Sequence, residues 1–168
     1  MTLIVPTDAD LKTLAEHVAT AAQQRRLMMV TAESCTGGWI AKALTDLPGS
    51  SAWFDAGVVT YSYEAKEALL GVNPRTLERT GAVSEETALE MVSGALSRFG
   101  AGMAVAVTGI AGPSGGTPDK PVGTVWIGWK RRGGYAHASL FHFEGDREAV
   151  RRQTVAAALK GVIKALTD

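Results

Sequence analysis

Thr31-Ala-Glu-Ser-Cys-Thr-Gly-Gly38 follows the apolar run Leu27–Val30 and precedes a helical pattern beginning near Trp39. An apolar strand that ends in small hydroxyl residues and glycines, then enters a helix, is the repeating step of an open α/β sheet. Such sheets gather ligands and reactive groups at the carboxyl ends of their strands. Glycine permits close main-chain approach, and the opening turn of a helix offers free N–H donors to an anion or oxyanion. Ser34 therefore stands where a nucleophile belongs.

On either side of this step, strand and helix patterns alternate. Asp8 can cap a first helix whose apolar positions Leu11, Leu14, Ala15 and Val18 share one face. Strand Leu27–Thr31 is followed by the Ser34 loop, a helix over 38–45 and turn chemistry at Pro48-Gly49-Ser50-Ser51. A second strand, Phe54–Thr60, is apolar enough to be central. Helices are predicted over Glu64–Leu70, from Asn73-Pro74, and from the cap Ser84 to Arg98. Met103–Thr108 reads as a third, buried strand that enters the glycine- and proline-rich loop 109–121. Val122–Lys130 and Tyr135–Glu144 form a hairpin around Arg131–Gly134, and a helix over Asp146–Leu166 closes the chain. Crossovers together with a hairpin predict a mixed sheet covered by helices on both faces, in one domain over residues 1–168. If the first three strands are parallel neighbours, the Ser34 loop, the segment Thr60–Lys66 and the loop after Thr108 meet at one edge of the sheet.

Composition narrows the function. The chain has 168 residues, with 17 basic side chains against 17 acidic ones. That balance supplies no global field to draw in nucleic acid or an anionic membrane. No apolar run reaches the ~18 residues of a membrane span, and MTLIVPTDADLK lacks the basic-then-apolar pattern of a secretory signal. A single cysteine, Cys35, excludes an internal disulfide framework and suits a reducing compartment. The expectation is a cytoplasmic protein acting on a small molecule. There is no G-x-x-x-x-G-K-[ST] phosphate loop, no G-x-S-x-G elbow and no paired His/Cys spacing for a metal.

A serine hydroxyl needs a base. His17, His137 and His142 all fall outside the three loops, which leaves Lys66, and Ser–Lys pairs are a known solution. From an ordinary pKa of about 10.4, a lysine base working near neutrality needs a fall of roughly 3 units, about 4 kcal/mol, supplied by burial or nearby positive charge. Glu33, if close, opposes that shift. Tyr61 could donate to the leaving group or orient Lys66, and the glycines around Ser34 and Thr108 could supply oxyanion donors. Blander readings compete. The glycine-rich turn can be a tight connection only, Lys66 a solvated surface lysine and Tyr61 a strand-end residue with its hydroxyl in water. Cys35 is either a small buried residue or a rival nucleophile. A hydrolase and a binding module both stay open on these grounds.

The segments AESCTGGWIAKALTDLPGSSAWF (32–54), GVVTYSYEAKEALLGV (57–72), GAVSEE (81–86), TGIAGPSGGTPDKPVGTVW (108–126) and FEGDREAVRRQTV (143–155) resemble the CinA C-terminal-domain family. Characterised members are nicotinamide-nucleotide amidohydrolases, which convert nicotinamide mononucleotide to nicotinate mononucleotide and ammonia. Longer members carry a molybdopterin-binding-like domain first; this chain is read as the amidohydrolase domain alone. The resemblance implies a three-layer α/β/α sandwich, commonly oligomeric, with Ser34 as nucleophile beside a catalytic Tyr61 and Lys66. A serine mechanism of this kind calls for no metal and no cofactor. Thr36, Gly37, Gly38, Tyr63, Thr108, Gly109, Gly112, Gly115, Gly116 and Arg147 are the expected substrate contacts. The ribose phosphate falls to main-chain N–H groups of the loop after Thr108, or to Arg147, whose alternative partner is Asp146. The chain departs from the family pattern at Tyr63, where Asn is usual, at Ala56, where Gly is frequent, and at Ser114, where Asp is frequent. The competing reading is a catalytically silent nucleotide-binding or regulatory domain of the same fold.

Overall fold

A computed structural model describes residues 2–168. Its elements run α1 (Asp8–Arg25), β1 (Met29–Glu33), α2 (Trp39–Thr45), β2 (Phe54–Val59), α3 (Tyr63–Leu70), α4 (Pro74–Thr80), α5 (Glu85–Phe99), β3 (Met103–Gly109), β4 (Thr124–Arg131), β5 (His137–His142) and α6 (Arg147–Thr167). The strands form one mixed sheet in the order β2-β1-β3-β4-β5. β2, β1 and β3 are parallel neighbours, whereas β4 and β5 pair antiparallel beyond them.

The two-residue alternation of the strands splits the core into two layers. Met29, Met103, Val105 and Val107 pack with α1, α2 and α6, while Val30, Ala32, Ala104 and Ala106 pack with α3, α4 and α5. The result is the expected α/β/α sandwich. Local chemistry sets the helix starts. Thr7 and Asp10 close a reciprocal capping box on α1, and Ser62, Asn73, Ser84 and Asp146 each accept an amide hydrogen at the start of their helices.

Three expectations are corrected. Phe54–Thr60 was expected in the middle of the sheet, but β2 is an edge strand that ends at Val59 and alternates between half-buried and exposed residues. Its apolar content serves both layers from the edge: Phe54 packs with the layer of α1, α2 and α6, and Ala56 and Val58 with that of α3, α4 and α5. β1 begins at Met29 because the amide of Leu27 still bonds the Ala22 carbonyl of α1, at 3.0 Å. The hairpin strands are shorter than expected, at Thr124–Arg131 and His137–His142. Gly123, at φ +93°, turns the chain just before β4, and the amide of Phe143 closes on its carbonyl.

A β-bulge interrupts the pairing of β1 with β2. Met29 stands opposite Phe54 but Val30 opposite Ala56, so Asp55 is the extra residue. Beyond it the ladder is regular up to Glu33 opposite Val59.

Candidate active site

The parallel order brings the ends of β1, β2 and β3 together, and two main-chain bonds extend the ladders past the strands. The Thr60 amide donates to Glu33 at 2.8 Å, and the Ser34 amide donates to Val107 at 3.1 Å. Ser62 caps α3 by accepting from Ala65 at 3.0 Å, which turns the helix back so that Lys66 points under the strand ends. Its Nζ lies 3.0 Å from Ser34 Oγ, 2.7 Å from the Thr60 carbonyl oxygen and 3.4 Å from that of Tyr61. Lys66 is 0% exposed and Ser34 8%. None of its three partners carries a charge that would hold the proton, and burial pulls the Lys66 amine down to about 8. The solvated-lysine reading is thereby excluded.

The Ser34 loop is braced from beneath by a carboxylate. Glu33, the last residue of β1, accepts from the Thr36 hydroxyl at 2.5 Å and from the amides of Ile40 and Ala41 at 2.8 and 3.1 Å. Burial holds its carboxyl above the usual carboxylate range, and the Thr36 hydroxyl and the first amides of α2 offset that only in part. Its negative charge is thus spent on the opening turn of α2 and does not pair with Lys66. Gly37 and Gly38 adopt φ of +61° and +100°, and no other residue type enters such a turn without strain. From above, Arg151 of α6 donates to the carbonyls of Cys35 and Thr36, both at 3.0 Å. Cys35 is buried, and burial beside Glu33 pushes its thiol up to about 12. It is a packing residue at neutral pH.

The other expected residues divide. Tyr61 is 61% exposed, and its hydroxyl accepts from Arg147 at 3.2 Å. Arg147 also donates to the Gly112 carbonyl at 2.9 Å, so it ties the loop after β3 to Tyr61 and is not the partner of Asp146, whose carboxylate caps α6 through Ala149. Tyr63 turns towards the Gly81–Ala82 segment and accepts from the Ala82 amide at 3.3 Å. Thr108 reaches the same segment from the other side, donating to the Ala82 carbonyl at 2.7 Å. Thr36 is fully buried, Gly109 is the last residue of β3, Gly112 is buried, and Gly115 and Gly116 lie on the exposed part of the loop. Among the loop amides, those of Ser34 and Gly37 are bonded to main-chain carbonyls, whereas those of Cys35 and Thr36 are not.

All three histidines are exposed and none touches Ser34. Among the described residues no group of three or more His, Cys, Asp or Glu side chains is placed to hold a metal ion, and no helix is long and apolar enough to cross a membrane. A cavity of about 710 Å³ opens behind the nucleophile loop, lined by Thr36, Gly37, Gly38, Trp39 and residues of α1 and α2. Ser34 and Lys66 do not line it.

Residues 11–166 match the family described as the CinA C-terminal domain. The chain belongs to that family. It is 51% identical over 154 residues to the nicotinamide-nucleotide amidohydrolase PncC of Escherichia coli K12, covering 92% of this chain and 93% of that protein. It is 51% identical over 158 residues to the protein of the same name from Pseudomonas putida, covering 94% and 98%. The crystal structure of the competence/damage inducible protein CihA from Agrobacterium tumefaciens superposes with a TM-score of 0.92 at 46% identity, covering 99% and 100% of the two chains.

In this CinA C-terminal domain, two residues that hold the Ser34 loop are not evident from the sequence. Arg151 looked like one more polar position of the last helix. Its neighbours Arg147 and Arg152 share the segment, and nothing local distinguishes the one that reaches the Ser34 loop, 116 residues away from Cys35 in sequence. Glu33 was seen only as an opposing charge. The usable signal was its spacing: a carboxylate a few residues ahead of a short helix can cap that helix.

Proposed function

We propose that this protein is a nicotinamide-nucleotide amidohydrolase that converts nicotinamide mononucleotide to nicotinate mononucleotide and ammonia. The observation that carries this reading is the buried Lys66 amine, 3.0 Å from Ser34 Oγ and lowered to about 8. At such a pKa roughly a tenth of the amine is neutral at pH 7, against ~0.04% for an ordinary lysine. The PncC relatives support the substrate.

Neutral Lys66 takes the Ser34 proton as Oγ attacks the carboxamide carbon. The carbonyl oxygen becomes an oxyanion, for which the unbonded amides of Cys35 and Thr36, next in the loop after the nucleophile, are the nearest main-chain donors. The proton that Lys66 took is passed through the Tyr61 hydroxyl to the departing nitrogen; the C–N bond breaks, ammonia leaves and Lys66 is neutral again. Tyr61 serves that transfer: Arg147 donates to its oxygen, so the phenol O–H is free to point at the leaving group. Water then hydrolyses the ester on Ser34, with Lys66 as base, to release the carboxylate.

The test is direct. Purified protein incubated with nicotinamide mononucleotide should release ammonia and nicotinate mononucleotide in equal amounts. Nucleotide binding with no product would favour the silent binding domain. The active form is an oligomer of identical chains in the cytoplasm, a reading supported by the exposed apolar side chains Val59 and Leu140 on the two edge strands. Light scattering of the pure protein checks the assembly.

A further inference from the structure

The loop between β3 and β4 folds back on itself before it joins the sheet. The Thr117 amide donates to the Lys120 carbonyl at 2.9 Å, and the Lys120 amide donates to Thr117 Oγ1 at 3.0 Å. This turn carries the half-buried Lys120 side chain across to α4, where Nζ donates to the Thr80 carbonyl at 2.7 Å. The Tyr63 hydroxyl stands beside it: a β-carbon added to Gly81 would lie 3.6 Å from Lys120 Nζ and 3.8 Å from the Tyr63 oxygen.

That position is joined to the catalytic pair along two routes. Tyr63 lies three residues before Lys66 on α3, and helical residues at that spacing are side-by-side neighbours. Thr108, which bonds the Ala82 carbonyl, follows Val107, whose carbonyl holds the Ser34 amide. The segment Gly81–Ala82 therefore spans one side of the site, and Lys120 stands at its outer end.

The charge there is unspent. Lys120 takes part in none of the ion pairs among the described residues. An ammonium has three donors and Thr80 takes one. A neutral carbonyl leaves the charge uncompensated, and a half-buried ammonium without a counter-ion costs free energy. The other cations near the site are committed otherwise. Arg147 is bonded to Gly112 and Tyr61, and Arg151 to Cys35 and Thr36, so each has two fixed partners where Lys120 has one, and Lys66 must be neutral to act as a base.

We propose that Lys120 binds the phosphate of the nucleotide substrate and so discriminates the nucleotide from its riboside. The inference rests on the amidohydrolase reading above. Its test compares native protein, Lys120→Met and Lys120→Arg on nicotinamide mononucleotide and on nicotinamide riboside. A hydrogen-bonded charge pair is worth ~1.5–3 kcal/mol, or roughly tenfold to a hundredfold in affinity. The ratio of kcat/KM for nucleotide over riboside should fall by that factor in Lys120→Met, mainly through KM, and Lys120→Arg should recover most of it. A ratio within about twofold of native would reduce Lys120 to a fastening of the loop on α4 and overturn the proposal. If native protein turns over neither compound, the amidohydrolase reading fails by itself. Calorimetric binding then decides the role of Lys120: a preference for the nucleotide that vanishes in Lys120→Met upholds it, and equal binding of both compounds overturns it.

Discussion

Arg151 Nε donates to the carbonyl oxygen of Cys35 at 3.0 Å, so the last helix of the chain holds the residue immediately after Ser34. A second bond from the same guanidinium to Thr36 fixes the orientation of that stretch, and the Trp39 ring lies 5.6 Å from the guanidinium carbon. Glu33 grips the loop from the sheet side. Ser34 is thus presented to Lys66 by main-chain positions held at both ends.

Arg151→Ala should lower kcat by about tenfold to a hundredfold with little change in KM, since misplacing a reacting atom by about 1 Å costs that much. Arg151→Lys, which can remake one of the two carbonyl bonds, should recover part of the rate. An equal fall in both variants accompanied by a matching loss of thermal stability would show that Arg151 serves folding and not the geometry of the nucleophile.

Ser34→Ala should abolish turnover while leaving the fold intact, and Cys35→Ala should keep most of the activity. With its thiol pushed up to about 12, Cys35 contributes almost no thiolate at neutral pH. Mass spectrometry of protein quenched during turnover should place any acyl group on Ser34. An adduct on Cys35 would reverse the assignment.

The rate should follow the Lys66 amine. kcat/KM is expected to rise with pH to a plateau, with an apparent pKa near 8. Lys66→Arg keeps the charge but cannot give up its proton in this range, so turnover should fall at least about a hundredfold. A rising limb that persists unchanged in Lys66→Arg would assign the titration to another group.

Stability should carry the same signature. Folding lowers the Lys66 pKa from 10.5 to about 8. Between these values the unfolded chain binds a proton that the folded chain has released, so native stability climbs as pH rises through that window. Below it both states are protonated, and the folded protein bears the full cost of a buried ammonium, about 3 kcal/mol at ~1.4 kcal/mol per unit. The difference in stability between Lys66→Met and native protein should therefore shift in favour of the native protein across the window, as read by urea melts on either side of it. A difference independent of pH would show an amine titrating as it does in water.

The parts of this architecture that were legible in sequence were those with a local cause. Ser34 stood out because strand, small residues and glycines occur in unbroken order, and Lys66 because no histidine fell in the three loops. The parallel order of β1, β2 and β3 followed from helical crossovers that admit few alternatives. What escaped detection depends on partners far away in the chain. The apolar residues of β2 read as a central strand, because an edge strand half-buried by Phe54 on one layer and by Ala56 and Val58 on the other has the same composition as a fully covered one. Arg147 was read as a phosphate contact with Asp146 next to it as the alternative partner, whereas its bonds go to Tyr61 and Gly112, 86 and 35 residues distant. Tyr63 was a departure from the family pattern whose direction no local rule supplies; the structure turns it onto Ala82.

The bulge at Asp55 lies at the opposite end of β2 from Ser34 and Lys66, and the regular rungs that follow it gauge the distance between the two. Lys66 is moored to the carbonyl of Thr60, and Ser34 to that of Val107, so the span between base and nucleophile is read off the rungs that join β2 to β1 and β1 to β3. Each rung is ~3.3 Å of travel along the strand. A chain lacking residue 55 can keep Phe54 opposite Met29 and Ala56 opposite Val30 as a regular ladder, so the rungs that place Thr60 stay where they are. A residue removed from the regular stretch Ala56–Val59 would instead draw Thr60 back by one step and turn the shifted side chains to the opposite face. The sheet thus works as a vernier for the Ser34–Lys66 pair.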